Sequence, residues 1–494
     1  MMEVRVSTRE ALAGECVEVT LPGEEAPLVK ALGRALLSQT KCTSEYTLTE
    51  VKGGFDVDLK VHNPTSKPQK RPTFRLYGIR MGTDFTLLDA RSAGHLHRAE
   101  LRPAEALIDG ERQGGFLDMH RAYPDGDGEG MYSPVAAVFN ERFAVGVSVI
   151  YNPFKLKHCV DLHYWSDRKD LLGTVMIGAD LYRPPPGYQE RWDRTLIDPG
   201  ATDDYRITVR FARPGNWLDT LEPYREFFRS RYGGVQYEAD LRPIFGMVST
   251  ASSGNPEESN PRGYQSGMRL DLDGWKPCVN TIEKEGVSKG YRRTMIWTPI
   301  GMYRIGRNYA PEFMTAWPEK LVETLPELLK LKEKGVSIGM WWGRANQVSA
   351  GWNTGSMWIR DPEDGDDAEA AWRELRLAVE RGTDEVGLDA WKLMPLWDRY
   401  DFLKQMLRDF PSLRFSHEQG DCDIVHTIAA CYFYWRVQSW PPVLADWLNP
   451  GHETWIQLGQ SEHKHFDQCV EWKLVPLTTV RGVKHDPSLF EGGN

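Results

Sequence analysis

Gly382-Thr383-Asp384-Glu385-Val386-Gly387-Leu388-Asp389 decides how the second half of this chain is read. Ala371, Leu375, Ala378 and Val379 recur at helical spacing and stop at Gly382; a short apolar run then ends on a carboxylate. A glycine-stopped helix followed by a buried strand is the junction of a β/α unit. The same alternation extends to both sides. Apolar runs at 244–248, 294–297, 336–342, 385–391, 413–416, 442–447 and 472–477 read as strands. Helical stretches separate them, such as Leu321, Leu325, Leu328 and Leu329 before Gly335, and Phe402, Met406 and Leu407 before Pro411. Repeated units of this kind build a parallel sheet, and seven strands favour a (β/α)8-type TIM barrel over an open sheet. An eighth strand is hard to place in what remains after residue 480, so the barrel is expected to be incomplete at its C-terminus.

The first half reads differently. Residues 55–62 alternate apolar and polar without a break, the mark of a half-buried strand. Further strands are expected at 135–139, 143–150 and 205–211, the first two of these joined by a tight Asn140-Glu141-Arg142 turn. With the Pro184-Pro185-Pro186-Gly187 punctuation, this predicts an antiparallel β-sandwich over 1–216. Trp217, Leu218, Leu221, Tyr224, Phe227 and Phe228 then recur at steps of three and four, up to Gly233-Gly234. That predicts an amphipathic linker helix within 217–240, leaving 241–494 for the barrel.

The 494 residues suffice for two or three domains, and 41% hydrophobic with 26% charged residues suits large buried cores. A net charge of −10 argues against nucleic acid or an anionic membrane as partner. No apolar run is long enough to span a bilayer. The seven cysteines are scattered without CxxC spacing, so neither a zinc knuckle nor a disulfide framework is indicated. A cytoplasmic setting is expected; a secreted protein whose signal had been removed would read the same. His452-Glu453, His463 and His465 form no HExxH pattern, and no metal or cofactor is expected. The 18 Trp and 19 Tyr are suited to stacking on sugar rings.

In a barrel of this type chemistry gathers at the strand C-termini. The predicted ends carry Ser249 and Thr250; Trp297 and Thr298; Trp341, Trp342 and Arg344; Asp389 and Lys392; His417, Glu418 and Asp421; Asp446 and Trp447. A lone Asp at a loop start is most often a helix N-cap. Two at strand ends, in a rim of tryptophans, suit retaining glycoside cleavage, with one carboxylate as nucleophile and the other as acid/base.

The residues 382–389 resemble the fourth-strand pattern G-x-D-x-V-K-W-D of the α-galactosidase clan of glycoside hydrolases, whose last Asp is the nucleophile. Asp446, followed by Ile456-Gln457 and Gly459, resembles that clan's sixth-strand S-D-N-T-D-A…I-Q-x-G segment, whose first Asp is the acid/base. The clan's architecture, a β-sandwich followed by a barrel, agrees with the domain reading. The resemblance implies an α-glycosidase acting on a glycoside or oligosaccharide, with Asp389 as nucleophile and Asp446 as proton donor. Lys392 or Arg344 would keep Asp389 charged. Trp297, Trp341, Trp342, His417 and Trp447 would meet substrate, and Glu418 is a rival acid or a hydroxyl ligand. Clan members often oligomerise, and an open barrel seam predicts a second copy covering it.

Departures from the clan pattern are specific. The Lys two residues before the nucleophile is Gly387 here; the second-strand Asp pair becomes Trp297-Thr298-Pro299-Ile300; the third-strand W-F-E-P-E becomes Trp341-Trp342-Gly343-Arg344-Ala345. The fifth-strand Cys-Gly-rich segment becomes Ser416-His417-Glu418-Gln419-Gly420-Asp421. Altered sugar specificity is therefore expected. The alternatives are a non-catalytic carbohydrate-binding relative, and a barrel lyase or isomerase built on Glu418 and Asp421.

Overall fold

A computed structural model describes residues 1–11, 14–22, 29–32, 41–70, 73–90, 94–103, 105–113, 117–123, 131–151, 160–166, 174–180, 196–250, 257–265, 267–302, 309–352, 354, 356–391, 394, 396–418, 422–433, 441–458 and 465–481. The chain divides into two compact units, Met1–Gly234 with Pro442–Pro450, and Val235–Pro441 with Gly451–Asn494.

Among the described residues the first unit holds antiparallel sheets of seven and nine strands and a two-stranded one. The 55–62 alternation lies in the strand Gly54–His62, which buries Val57, Leu59 and Val61 and pairs with Thr202–Ala212. Tyr164 ties one sheet to the other: its hydroxyl donates to the Leu88 carbonyl at 2.5 Å and accepts from the Ala137 N–H at 3.0 Å. The Asn140 turn closes through its own side chain, whose Oδ1 accepts from the N–H groups of Arg142 (2.8 Å) and Phe143 (3.0 Å). After a 3-10 turn at Pro214–Leu221, helix α1 (Glu222–Tyr232) buries Tyr224, Phe228 and Tyr232. Trp217 stacks on Phe139 with ring centroids 5.6 Å apart. The expected linker helix is therefore packed within the first unit. The Pro184–Gly187 punctuation lies outside the described residues.

The second unit is a closed barrel of eight parallel strands. They are β1 (Ile244–Val248), β2 (Arg293–Trp297), β3 (Ser337–Trp342), β4 (Glu385–Leu388), β5 (Arg414–Glu418), β6 (Ala430–Phe433), β7 (Thr454–Leu458) and β8 (Val475–Arg481). Helix α2 (Gly365–Glu380) precedes β4 and α3 (Leu396–Asp409) precedes β5. The N-cap of α2 is Asp364, whose carboxylate accepts from the N–H groups of Asp366 and Asp367.

Two sequence expectations are corrected here. The barrel is complete: β8 pairs in parallel with β1, Ile244 opposite Leu477, so the seam that suggested a covering second copy is closed. And 442–447 is not a strand but the short helix α4 (Val443–Leu448), inside the first unit. Its buried residues, Leu444, Ala445 and Leu448, follow helical rather than alternating spacing. Leu444 packs so closely on Gly94 that a Cβ there would stand 2.5 Å from Leu444 Cγ, and Asn449 Nδ2 donates to the Tyr132 hydroxyl at 2.6 Å. The true β6 and β7 are Ala430–Phe433 and Thr454–Leu458.

The N-terminal ends of the strands are plugged by charge. Arg293, at the start of β2, forks onto Glu385 of β4 (2.8 and 3.0 Å) and reaches Glu453, before β7, at 2.5 Å. Glu453 also accepts from Arg414, from the Trp455 indole (2.6 Å) and from the Asp240 N–H (2.7 Å). Arg293, Glu385 and Glu453 are fully buried, so their mutual bonding is what makes the charge tolerable there. Asp384, the third residue of the quoted stretch, latches the same end, accepting from the Ile338 N–H (2.8 Å) and Lys332 (2.7 Å). Among the described residues no helix is long and apolar enough to cross a membrane.

Candidate active site

At the opposite end of the barrel, three non-glycine residues in a row of strands take left-handed backbone angles. They are Thr298 (φ 54°) after β2, Arg344 (φ 56°) after β3 and Ala390 (φ 55°) after β4. Each such residue costs on the order of 1 kcal/mol or more and persists only where its surroundings hold it. The holding groups are visible. Thr298 is pinned by Ser249 Oγ, which donates to its carbonyl at 2.5 Å, and by Thr250 Oγ1 against its own hydroxyl at 2.8 Å. The Ser249-Thr250 pair thus serves the backbone of β2.

Arg344 and Ala390 aim their N–H groups at carboxylates. The Arg344 N–H donates to Asp389 Oδ2 at 3.1 Å, and the Ala390 N–H donates to Glu418 Oε2 at 3.1 Å. Asp389 is also fixed along its backbone, donating to the Trp342 carbonyl at 3.1 Å. Both acids are buried, with 7% of Asp389 and 6% of Glu418 exposed, so neither is a solvated surface charge. Parallel pairing sets Leu388 opposite His417, which brings the next residue of each strand, Asp389 and Glu418, side by side. Neighbouring backbones there lie about 5 Å apart.

Aromatic rings close in beside the pair. Trp341 and Trp297 stack at 5.0 Å, and Tyr432 of β6 meets Trp341 edge-on at 5.6 Å. The Tyr432 hydroxyl donates to Gln457 of β7. Its phenol is pushed well above its ordinary value, by burial first and then by the neighbouring Glu418, Tyr309 and Asp389. Trp341 also accounts for the missing lysine. A Cβ on Gly387 would stand 2.1 Å from Cε3 of the Trp341 ring, so the indole occupies the space a side chain at 387 would need. The floor at this position is apolar.

The remaining expected site residues differ in their surroundings. Trp342 is fully buried; its indole donates to the Pro311 carbonyl at 2.7 Å and stacks on Phe313 at 5.4 Å, so it packs the wall behind the strand. His417 is fully buried with Nε2 3.1 Å from Cys431 Sγ. Asp446 lies on the exposed side of α4, and Trp447 carries the Arg225 guanidinium 5.1 Å over its ring, both within the first unit. Lys392 and Asp421 lie outside the described residues, as does His463. His452 bonds Thr454 at 2.8 Å and His465 bonds Gln468 at 2.9 Å. Among the described residues no group of three or more His, Cys, Asp or Glu is placed to hold a metal ion.

Tyr309, Tyr432 and Gln457 were not singled out as site residues by sequence. Gln457 had a signal, its place in the Ile456-Gln457 motif; the tyrosines had only their type.

These features define a class: an antiparallel β unit joined to a closed parallel barrel, with paired buried carboxylates and aromatic walls at the strand C-termini. Among solved structures the chain is similar to the ligand-free α-N-acetylgalactosaminidase of Bifidobacterium bifidum, with a TM-score of 0.55 at 11% identity over 99% of this chain and 90% of that one. The α-galactosidase of Thermus thermophilus in complex with p-nitrophenyl α-D-galactopyranoside aligns at a TM-score of 0.44 and 11% identity, over 98% and 87%. The resemblance to the α-galactosidase clan is thus matched at the level of fold, with the low identity of a divergent relative. No protein-family model matches the chain, and no curated protein sequence does.

Proposed function

We propose that this protein cleaves α-glycosides with retention of configuration, with Asp389 as nucleophile and Glu418 handling the proton. The observation that carries the reading is the pair itself: two buried carboxylates at adjacent strand ends, each oriented by a backbone N–H from a strained residue. The Arg344 N–H occupies Asp389 Oδ2, which leaves Oδ1 for attack. As the Oδ1–C1 bond forms, the bond from C1 to the leaving oxygen breaks and that oxygen takes the Glu418 proton. Water then attacks C1, returns a proton to Glu418 and frees Asp389. Side-by-side placement suits the separation of roughly 5–5.5 Å that double displacement requires. Trp341 and Trp297, both buried, form an apolar floor beneath the pair, which favours a sugar ring over bulk water there.

The sequence resemblance gave the proton to Asp446. Its position on an exposed helical face, and the lack of any Asp or Glu in 430–445, favour Glu418. That same bare stretch, β6 and the residues after it, favours one second reading, a carbohydrate-binding relative without turnover.

A panel of aryl α-glycosides (galactoside, N-acetylgalactosaminide, glucoside) and aryl β-L-arabinopyranoside separates the readings. Asp389→Asn should lower kcat by about 10³-fold or more on the accepted sugar. Glu418→Gln should cost ~10²–10⁴-fold with poor leaving groups and little with dinitrophenolate. Asp446→Asn should stay near wild type; loss there with Glu418→Gln active returns the proton to Asp446. Sugar binding by calorimetry without turnover of any substrate would establish the binding-protein reading instead.

A further inference from the structure

We propose that Arg360 is a positioning residue for the nucleophile, acting through the backbone of the loop after β3; this rests on the reading of Asp389 given above. Arg360 follows the second strand of a small hairpin, Gln347–Ser349 paired with Met357–Ile359. It is only 2% exposed. Its bonds converge on one short segment. The backbone N–H donates to the Asn346 carbonyl at 2.8 Å, Nε to the Ala345 carbonyl at 3.2 Å, and Nη2 to the Gln347 carbonyl at 2.8 Å. Nη1 donates to the Asp367 carbonyl at the start of α2, and the guanidinium lies 5.4 Å over the Trp342 ring.

One side chain and its own amide therefore hold three consecutive carbonyls, those of residues 345, 346 and 347. The residue just before them is Arg344, whose left-handed backbone turns its N–H onto Asp389 Oδ2. The Gln347 N–H closes the turn onto the Arg344 carbonyl at 2.9 Å. The loop gains nothing from its own side chain: Asn346 is fully buried, and among the described residues neither its Nδ2 nor its Oδ1 has a hydrogen-bond partner. A buried, unpaired amide is a cost that native loops rarely carry. With a strained residue on one side and an unsatisfied one on the other, the segment needs an external clamp. Arg360 is the group that supplies it. A guanidinium suits the task because its fixed fork of donors reaches several acceptors at once, whereas an ammonium is a single point.

Arg360→Lys keeps the charge and removes the fork, so it is the informative variant. The probe is a 2,4-dinitrophenyl 2-deoxy-2-fluoro glycoside of the accepted sugar, whose leaving group departs without protonation. Attack by Asp389 Oδ1 forms the glycosyl ester and releases dinitrophenolate. Labelling at Asp389, read by intact mass and peptide mapping, should slow on the order of 10- to 100-fold in Arg360→Lys, the cost of a small misplacement of a reacting group. With ordinary substrate, kcat should fall by that factor while KM stays within about threefold. Hydrogen exchange checks the fold: faster exchange confined to the peptide spanning 343–352 is expected, with the other barrel strands unchanged. If Arg360→Lys exchanges fast throughout, Arg360→Gln in the same assays decides the matter by the same criteria. Wild-type labelling rates in a correctly folded variant would overturn the role of Arg360 alone. Failure of the wild type both to label at Asp389 and to release dinitrophenolate would remove both this role and the glycosidase reading.

Discussion

At Gly387 the absence of a side chain is what admits the Trp341 indole beneath the two acids. A methyl group there would meet Cε3 at 2.1 Å, with the ring fixed between Trp297 and Tyr432. Gly387→Ala should therefore destabilise by about 1–3 kcal/mol, the usual penalty of overpacking, and displace the floor. Urea denaturation with intrinsic tryptophan fluorescence measures the first effect and KM the second; an unchanged midpoint would mean that the ring moves freely. His426 gives a pH test at the same scale. It is fully buried with its ring 5.0 Å from that of His452, and its pKa is held well below the usual 6.5, by burial first and then by His452. A base with a depressed folded-state pKa takes up its proton more readily when unfolded. Its contribution is thus intact above about pH 6.5 and falls as pH drops below that, by up to about 1.4 kcal/mol per pH unit. Stability curves at pH 7.5 and 5.5 for wild type and His426→Gln should diverge in that direction; parallel curves would assign the acid sensitivity to other groups.

At the scale of elements, the barrel's two ends do different work. Arg293, Glu385 and Glu453 are mutually satisfied at the N-terminal ends of β2, β4 and β7, away from the strained turns. Arg293→Met strands two buried carboxylates and should cost about 3–5 kcal/mol. The folded fraction should keep its kcat, because the strand ends carrying Asp389 and Glu418 are untouched. Chemical denaturation and active-site titration check both halves; a loss of kcat in folded protein would couple the two ends. The same scale shows where sequence reading succeeds. The strands at 244–248 and 294–297, and the one expected at 385–391 that ends at Leu388, were legible because glycine-stopped helices and apolar runs alternate cleanly. β6 was missed because it is four residues long and follows the short helix Asp423–His426 with little punctuation. Residues 442–447 were misread because six largely apolar residues carry either period, and only the burial of Leu444, Ala445 and Leu448 settles it.

Across the whole molecule, the order of an antiparallel β unit and then a barrel was written in a change of hydrophobic period near residue 217, and the fold follows it. What composition hides is the return of 442–450 to the first unit, since contacts distant in sequence decide it. Asp389 was legible because a carboxylate ending a buried strand is conspicuous. The place of Glu418 beside it was only half visible, because its register opposite Asp389 depends on pairing between strands. The most direct measurement is product analysis by NMR of an Asp389→Gly variant given an activated aryl α-glycoside and azide. If Asp389 is the nucleophile of a retaining α-glycosidase, azide enters the vacated face and yields the β-glycosyl azide, while water alone gives almost no turnover. Hydrolysis by Asp389→Gly at the wild-type rate, or an α-configured azide, would contradict the account.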